Sequence, residues 1–154
     1  MVKGLIPIPA SPLYALTDSK GVIGAIPGKH TDNHYLTETA IGTLGSLARL
    51  YRASVNPKAV LYLNDASLVW GGLFDVGSTS WIPPHEKHDR GRSIDIRAAN
   101  VGGNNEGAVP LTELLYLITY ANNNHLRVGL HCSESSNTAT CYGNPNNRHF
   151  HVDL

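Results

Sequence analysis

The sequence predicts an α+β fold: a small antiparallel sheet with helices packed on it. Two stretches, TETAIGTLGSLARLYRAS and PLTELLYLITYANNN, carry apolar residues at helical spacing. Several short segments, KAVLYL, RSIDIR, LRVGLH and RHFHVDL, are rich in β-branched, aromatic or alternating residues and read as strands. Short strands joined by Gly, Pro and Asn turns are the pattern of helices laid on an antiparallel sheet.

The elements follow in order. Residues 1–12 contain Pro7, Pro9 and Pro12 and read as an extended N-terminal arm. From Leu13 to Gly28 the chain is short apolar pieces broken by Gly21, Gly24, Pro27 and Gly28, which suits small strands or turns. Thr37 can cap the first helix, whose buried face is predicted from Ala40, Leu44, Leu47, Ala48 and Tyr51. Asn56-Pro57 stops it. Ala59 to Leu63 and Ser67 to Trp70 read as strands around Asn64-Asp65. STSWIPPHEKHDRG has no periodicity and reads as a loop before the strand RSIDIR, in which Ile94 and Ile96 point one way and Ser93, Asp95 and Arg97 the other. After the glycine-bearing loop AANVGGNNEGA, Pro110 opens the second helix with a stripe of Leu111, Leu114, Leu115 and Ile118. Two closing strands flank a polar loop that carries both cysteines.

Composition narrows the function. A length of 154 residues suits a single domain spanning residues 1–154, and 42% hydrophobic residues argue against disorder. Twelve Lys plus Arg balance twelve Asp plus Glu, so there is no electrostatic footprint for nucleic acid or acidic lipid. No apolar run reaches the length of a membrane span. The opening MVKGLIPIPASP does not read as a signal peptide. Cys132 and Cys141 flank the polar loop. They can form a disulfide worth about 2–3 kcal/mol in an oxidising compartment, or stay as free thiols, or join His131 in a zinc site that fits no standard finger. The disulfide points outside the cytoplasm.

The chemistry concentrates in two places. In RHFHVDL, His149 and His151 are two apart on a strand, so both imidazoles project from one face. They can approach one metal ion together, or one can bind it while the other works beside it. In PHEKHDRGRSIDIR, His88 sits on a loop, Gly91 lets that loop turn sharply, and Asp95 lies on the strand that follows. The seven-residue separation matches neither a helical His-Glu-x-x-His site nor a finger. Two ligands from a loop-strand corner and one from a distant strand leave a position open to water, the arrangement of catalytic zinc. The plainer readings are that Asp95 pairs with Arg92 or Arg97, and that the two late histidines are exposed on an edge strand.

PHEKHDRGRSIDI followed by HFHVDL resembles the LAS-type zinc metallopeptidases, the group of lysostaphin, the D-Ala-D-Ala metallopeptidases and the hedgehog signalling domain. Their signature is a His, six residues, an Asp, and a later His-x-His. The extra His85 and the ending SIDI look most like penicillin-insensitive murein endopeptidases. The resemblance implies that His88, Asp95 and His151 bind Zn2+, that His149 assists catalysis beside it, and that His85 is a further active-site histidine. It implies an enzyme that cleaves an amide bond in peptidoglycan stem peptides or cross-links, in the periplasm or outside the cell. The hedgehog branch supplies the alternative, a zinc-bearing binding or signalling domain without turnover. Carboxypeptidase members place a glutamate three residues before the last zinc histidine; Arg148 stands there in this chain, which argues against a close D-Ala-D-Ala dipeptidase. On that scheme the general base is His149 first, His131 second and Glu134 third, with Arg148 or Arg92 as donor to the oxyanion. Trp70, Gly71, Gly72 and Trp81 are candidates to line a groove, although a tryptophan on a strand is more often core.

Overall fold

The computed structural model describes residues 4–16, 33–55, 57–58, 60–69, 88, 90–97, 111–131 and 149–154. Among these are strands β1 (Leu5–Pro7), β2 (Tyr14–Leu16) and β3 (Tyr35–Thr37), helix α1 (Glu38–Ser54), strands β4 (Leu61–Leu63) and β5 (Ser93–Arg97), helix α2 (Leu111–Asn123), and strands β6 (Gly129–His131) and β7 (His149–Asp153). The α+β class read from the sequence is the class observed.

Five strands form the main sheet in the order β2-β4-β5-β7-β6. Every neighbouring pair is antiparallel except β2 and β4, which run parallel. The parallel pair departs from the all-antiparallel expectation. Strands of three residues carry no periodicity from which their direction could be read. The N-terminal arm also differs from its expectation. It is extended, but Leu5–Pro7 pairs with Tyr35–Thr37 in a separate antiparallel ribbon, and Ile8 donates its N–H to the His34 carbonyl. Pro7 sits at the end of that strand, where the missing N–H does no damage. Of the predicted strand from Ser67 to Trp70, Ser67 makes an isolated bridge to Tyr35, and Trp70 lies outside the described residues.

Helix α1 follows its sequence closely. The Thr37 side chain accepts a hydrogen bond from the Ala40 N–H at 3.2 Å, satisfying one of the amides that a helix start leaves open. The buried residues of α1 are Ala40, Leu44, Leu47, Ala48 and Tyr51, the stripe its spacing predicts. In α2 the buried residues include Leu117, Ile118 and Ala121; the sequence reading placed Ile118 there but stopped one turn short. The side chains of Leu111, Leu114 and Leu115 lie outside the described residues. The Tyr51 hydroxyl donates to the Glu113 carboxylate at 2.6 Å and ties the two helices together. Two bonds of 2.9 Å between the Asn122 amide and the backbone of Val128 close the turn from α2 into β6.

One core joins these layers. Ile94 and Ile96 of β5 pair in register with Val152 and Phe150 of β7, and all four cluster with Leu44, Leu47 and Leu117 from the helices. Each fully buried side chain of this kind contributes about 1.5–3 kcal/mol. Strand β5 is unusual because its polar residues, Ser93, Asp95 and Arg97, are buried as well. A strand covered on both faces with charge on one of them has to satisfy that charge, and this is where the candidate site lies. No described helix is long and apolar enough to cross a membrane.

Candidate metal centre

The site is built where β5 meets β7. Strand alternation puts Asp95 on the face opposite Ile94 and Ile96, and the antiparallel register sets it directly across from His151. The backbone of Asp95 is also held from the β4 side: its N–H donates to the Asp65 carbonyl at 2.7 Å, and its carbonyl accepts from the Asn64 N–H at 2.8 Å. Asp95 is therefore fixed by pairing on both edges of its strand.

His88 reaches the same point from the preceding turn, and Gly91 shapes that turn. Gly91 has φ +64°, the left-handed region that a side chain disfavours. A Cβ there would also lie 3.2 Å from the Thr37 backbone nitrogen, whose N–H donates to the Gly91 carbonyl at 2.8 Å. The residue that caps α1 thus also anchors the histidine-bearing turn.

Three side chains converge. The His88 Nε2 lies 3.3 Å and the His151 Nδ1 3.0 Å from one oxygen, Asp95 Oδ1. The two imidazoles meet edge to face, with centroids 4.6 Å apart. Exposure is 1% for His88, 1% for Asp95 and 8% for His151. One donor atom from each lies within 4.8 Å of the others, so the group can hold a metal ion.

The donor chemistry and spacing fit that role. Ligands about 2.0–2.1 Å from a tetrahedral ion are about 3.3–3.4 Å from one another. The 3.3 Å between His88 and Asp95 matches that spacing, and the 3.0 Å between His151 and Asp95 is also within hydrogen-bond range. A charge-assisted N–H···O bond is shorter, about 2.7–2.9 Å. Electrostatics supports the same picture. Burial alone would lower the His88 pKa, but the Asp95 charge and hydrogen bond outweigh it, aided by the charge of Asp65 and the Ser93 backbone. The imidazole is held above its ordinary value, so this pocket favours positive charge.

Residue spacing leaves both His149 and His151 open beside His88 and Asp95, the motif resemblance implies His151, and His151 is the histidine that clusters with His88 and Asp95 among the described residues. The plainer possibility that Asp95 serves Arg92 gives way to two imidazoles on its carboxylate; Arg92 is exposed, and its carbonyl accepts from the Leu154 N–H. The backbone of His131 pairs across from His151 rather than at the His149 end, and His149 pairs across from Arg97. The side chains of His131 and His149 lie outside the described residues, as do His85, Glu134, Arg148, Trp81 and both cysteines.

Three residues near the site were not singled out from the sequence. Asp65 stands in the sequence only as a residue between two expected strands, yet its charge acts on His88 and its carboxylate accepts from the Asn33 side-chain amide. Asp153 lies with its Oδ1 3.6 Å from the His151 Nε2 and accepts a 2.6 Å bond from the Ser93 hydroxyl. The signal for the last two was present: Ser93-x-Asp95 and His151-x-Asp153 are both alternating pairs on strands expected in the same sheet. No family model matches the chain, and no curated protein matches it.

Proposed function

We propose that this chain is a zinc-dependent peptidase of the LAS type, acting on an amide bond in peptidoglycan stem peptides or cross-links. The convergence of His88, Asp95 and His151 on one point carries the reading. The motif resemblance, His88-x6-Asp95 with a later His149-x-His151, supports the substrate class.

The residues divide the work as follows. His88, Asp95 and His151 hold the ion through Nε2, Oδ1 and Nδ1, the atoms that already face one another. A zinc ion held there supplies a Lewis acid that polarises a carbonyl and acidifies water. His149, two residues along β7 from His151, takes the proton from the attacking water on an imidazole nitrogen and returns it to the leaving amine. His131, whose backbone pairs across from His151, is the second candidate for that proton transfer. Arg92, exposed one residue beyond the Gly91 turn, and Arg148 offer cationic donors to the developing oxyanion. By the motif resemblance, His85 is a further active-site histidine.

The test is digestion of purified murein, read as newly released amino groups. The expected result is release that chelator abolishes, added Zn2+ restores, and Asp95→Ala lacks. Zinc bound without any release would favour the hedgehog-like alternative, a binding domain with no turnover. Release that persists in Asp95→Ala would remove the cluster from the chemistry.

A further inference from the structure

Strands β5 and β7 place four polar side chains in a square on one face. Ser93 pairs in register with Asp153, and Asp95 with His151. Because alternate residues of a strand share a face, the two acidic groups lie at diagonal corners, with His151 beside both. Its two ring nitrogens therefore look at different carboxylates. Nδ1 lies 3.0 Å from Asp95 Oδ1, and Nε2 lies 3.6 Å from Asp153 Oδ1. Asp153 is held in place by the Ser93 hydroxyl at 2.6 Å, and Ser93 is itself buried.

We infer that Asp153 is a positioning residue for the metal centre: it accepts a hydrogen bond from His151 Nε2 and thereby commits Nδ1 to the ion, with Ser93 fixing the carboxylate. The inference rests on the metal reading of the His88, Asp95 and His151 cluster. The reason is tautomeric. A neutral imidazole has one N–H and one lone pair. If Nδ1 is to ligate, the hydrogen must sit on Nε2, and a buried N–H stabilises that form only if an acceptor faces it. A carboxylate behind a ligating histidine also raises its basicity and fixes the ring plane. Asp153 is the carboxylate facing that nitrogen, and closing the 3.6 Å gap takes only a small rotation of the ring or carboxylate.

The sequence accounts for the arrangement. His151-Val152-Asp153 puts Val152 into the core and its two neighbours on the site face, while Ser93-Ile94-Asp95 does the same on the partner strand. Asp153 has 39% of its side chain exposed, so replacing it leaves the core untouched.

The test uses the full chain, stripped of metal and titrated with Zn2+ at one fixed pH, with unfolding of the metal-free forms as a control for folding. Asp153→Ala is expected to weaken Zn2+ binding by about 10–100-fold, the usual effect of losing such a partner. Asp153→Asn keeps the size and a neutral acceptor, and is expected to fall between it and the wild type. Imidazole nitrogen NMR of the zinc-loaded wild type should place the hydrogen on His151 Nε2 with slowed exchange against water; in Asp153→Ala that exchange should be fast. Wild-type affinity in both variants, or a hydrogen on Nδ1 in the loaded wild type, would overturn the inference while leaving the metal centre standing. A wild type that takes up no Zn2+ at all would instead remove the metal centre, and this inference with it.

Discussion

Replacing Gly91 by alanine tests how the fold delivers His88 to the site. The left-handed conformation at φ +64° becomes unfavourable by about 1–2 kcal/mol once a Cβ is present. The added methyl would also overlap Leu5 Cδ2 and lie 3.2 Å from the Thr37 nitrogen. The Leu5 methyl ends a flexible side chain and can turn aside. The Thr37 amide cannot, because it is bonded to the Gly91 carbonyl at 2.8 Å and belongs to the residue that caps α1. Overpacking of this kind adds about 1–3 kcal/mol, for a total of about 2–5 kcal/mol. At about 2–4 °C per kcal/mol for a domain of this size, the unfolding midpoint should fall by about 4–20 °C. The assay is thermal unfolding in excess EDTA, so that metal linkage does not contribute. In a Leu5→Ala background the loss should be little changed, with a coupling below about 0.5 kcal/mol, because the Leu5 side chain can turn aside and the Thr37 amide cannot. Zn2+ affinity should fall together with stability, since His88 is carried by this turn. A Gly91→Ala protein within about 0.5 kcal/mol of wild type, with unchanged affinity, would refute the claim that this turn places the ligand.

Other outcomes follow from the same structure. Because the Asp95 pairing raises the His88 pKa, its stabilisation of the metal-free protein is fully present below the unfolded value of about 6.5 and is lost as pH rises through the folded value. Denaturant titrations in EDTA should therefore show stability declining above that pH in the wild type but not in His88→Gln. Over the same interval Zn2+ should bind more tightly and release protons, measurable by calorimetry in buffers of different ionisation enthalpy. Tyr51→Phe removes the 2.6 Å bond from α1 to Glu113 and should cost about 1–3 kcal/mol in urea unfolding. Since burial and then Glu113 push the Tyr51 pKa up, that loss should be constant across neutral pH. His149→Ala should retain zinc and lose murein hydrolysis; loss of the metal instead would make His149 a ligand.

Much of this was legible because it depends on local spacing. The α1 stripe from Ala40 to Tyr51 and the Thr37 cap follow from helical periodicity and from one side chain reaching one amide. The opposed faces of β5, with Ile94 and Ile96 on the hydrophobic core and Asp95 on the other, also buried, face, follow from strand alternation in the same way. What could not be read depends on pairing between distant segments. Three-residue strands such as Tyr14–Leu16 carry no signal for a parallel neighbour, and a proline-bearing arm gives no sign that Leu5–Pro7 will find Tyr35–Thr37. His151 is the ligand that the motif resemblance implies, and register explains why spacing alone left it open: it lies directly across from Asp95, whereas His149 lies across from Arg97. The part Asp65 plays was not legible because it depends on Asn64-Asp65 clasping the Asp95 backbone, a contact between segments thirty residues apart.

The most direct test of the central claim is the zinc content of the full chain, purified without added metal and without a histidine tag. About one zinc per chain is expected, lost in His88→Ala and in Asp95→Ala while both variants remain folded. A folded wild type with no zinc, taking none up on titration, would contradict it and leave His88, Asp95 and His151 as a buried ion-pair cluster of the fold.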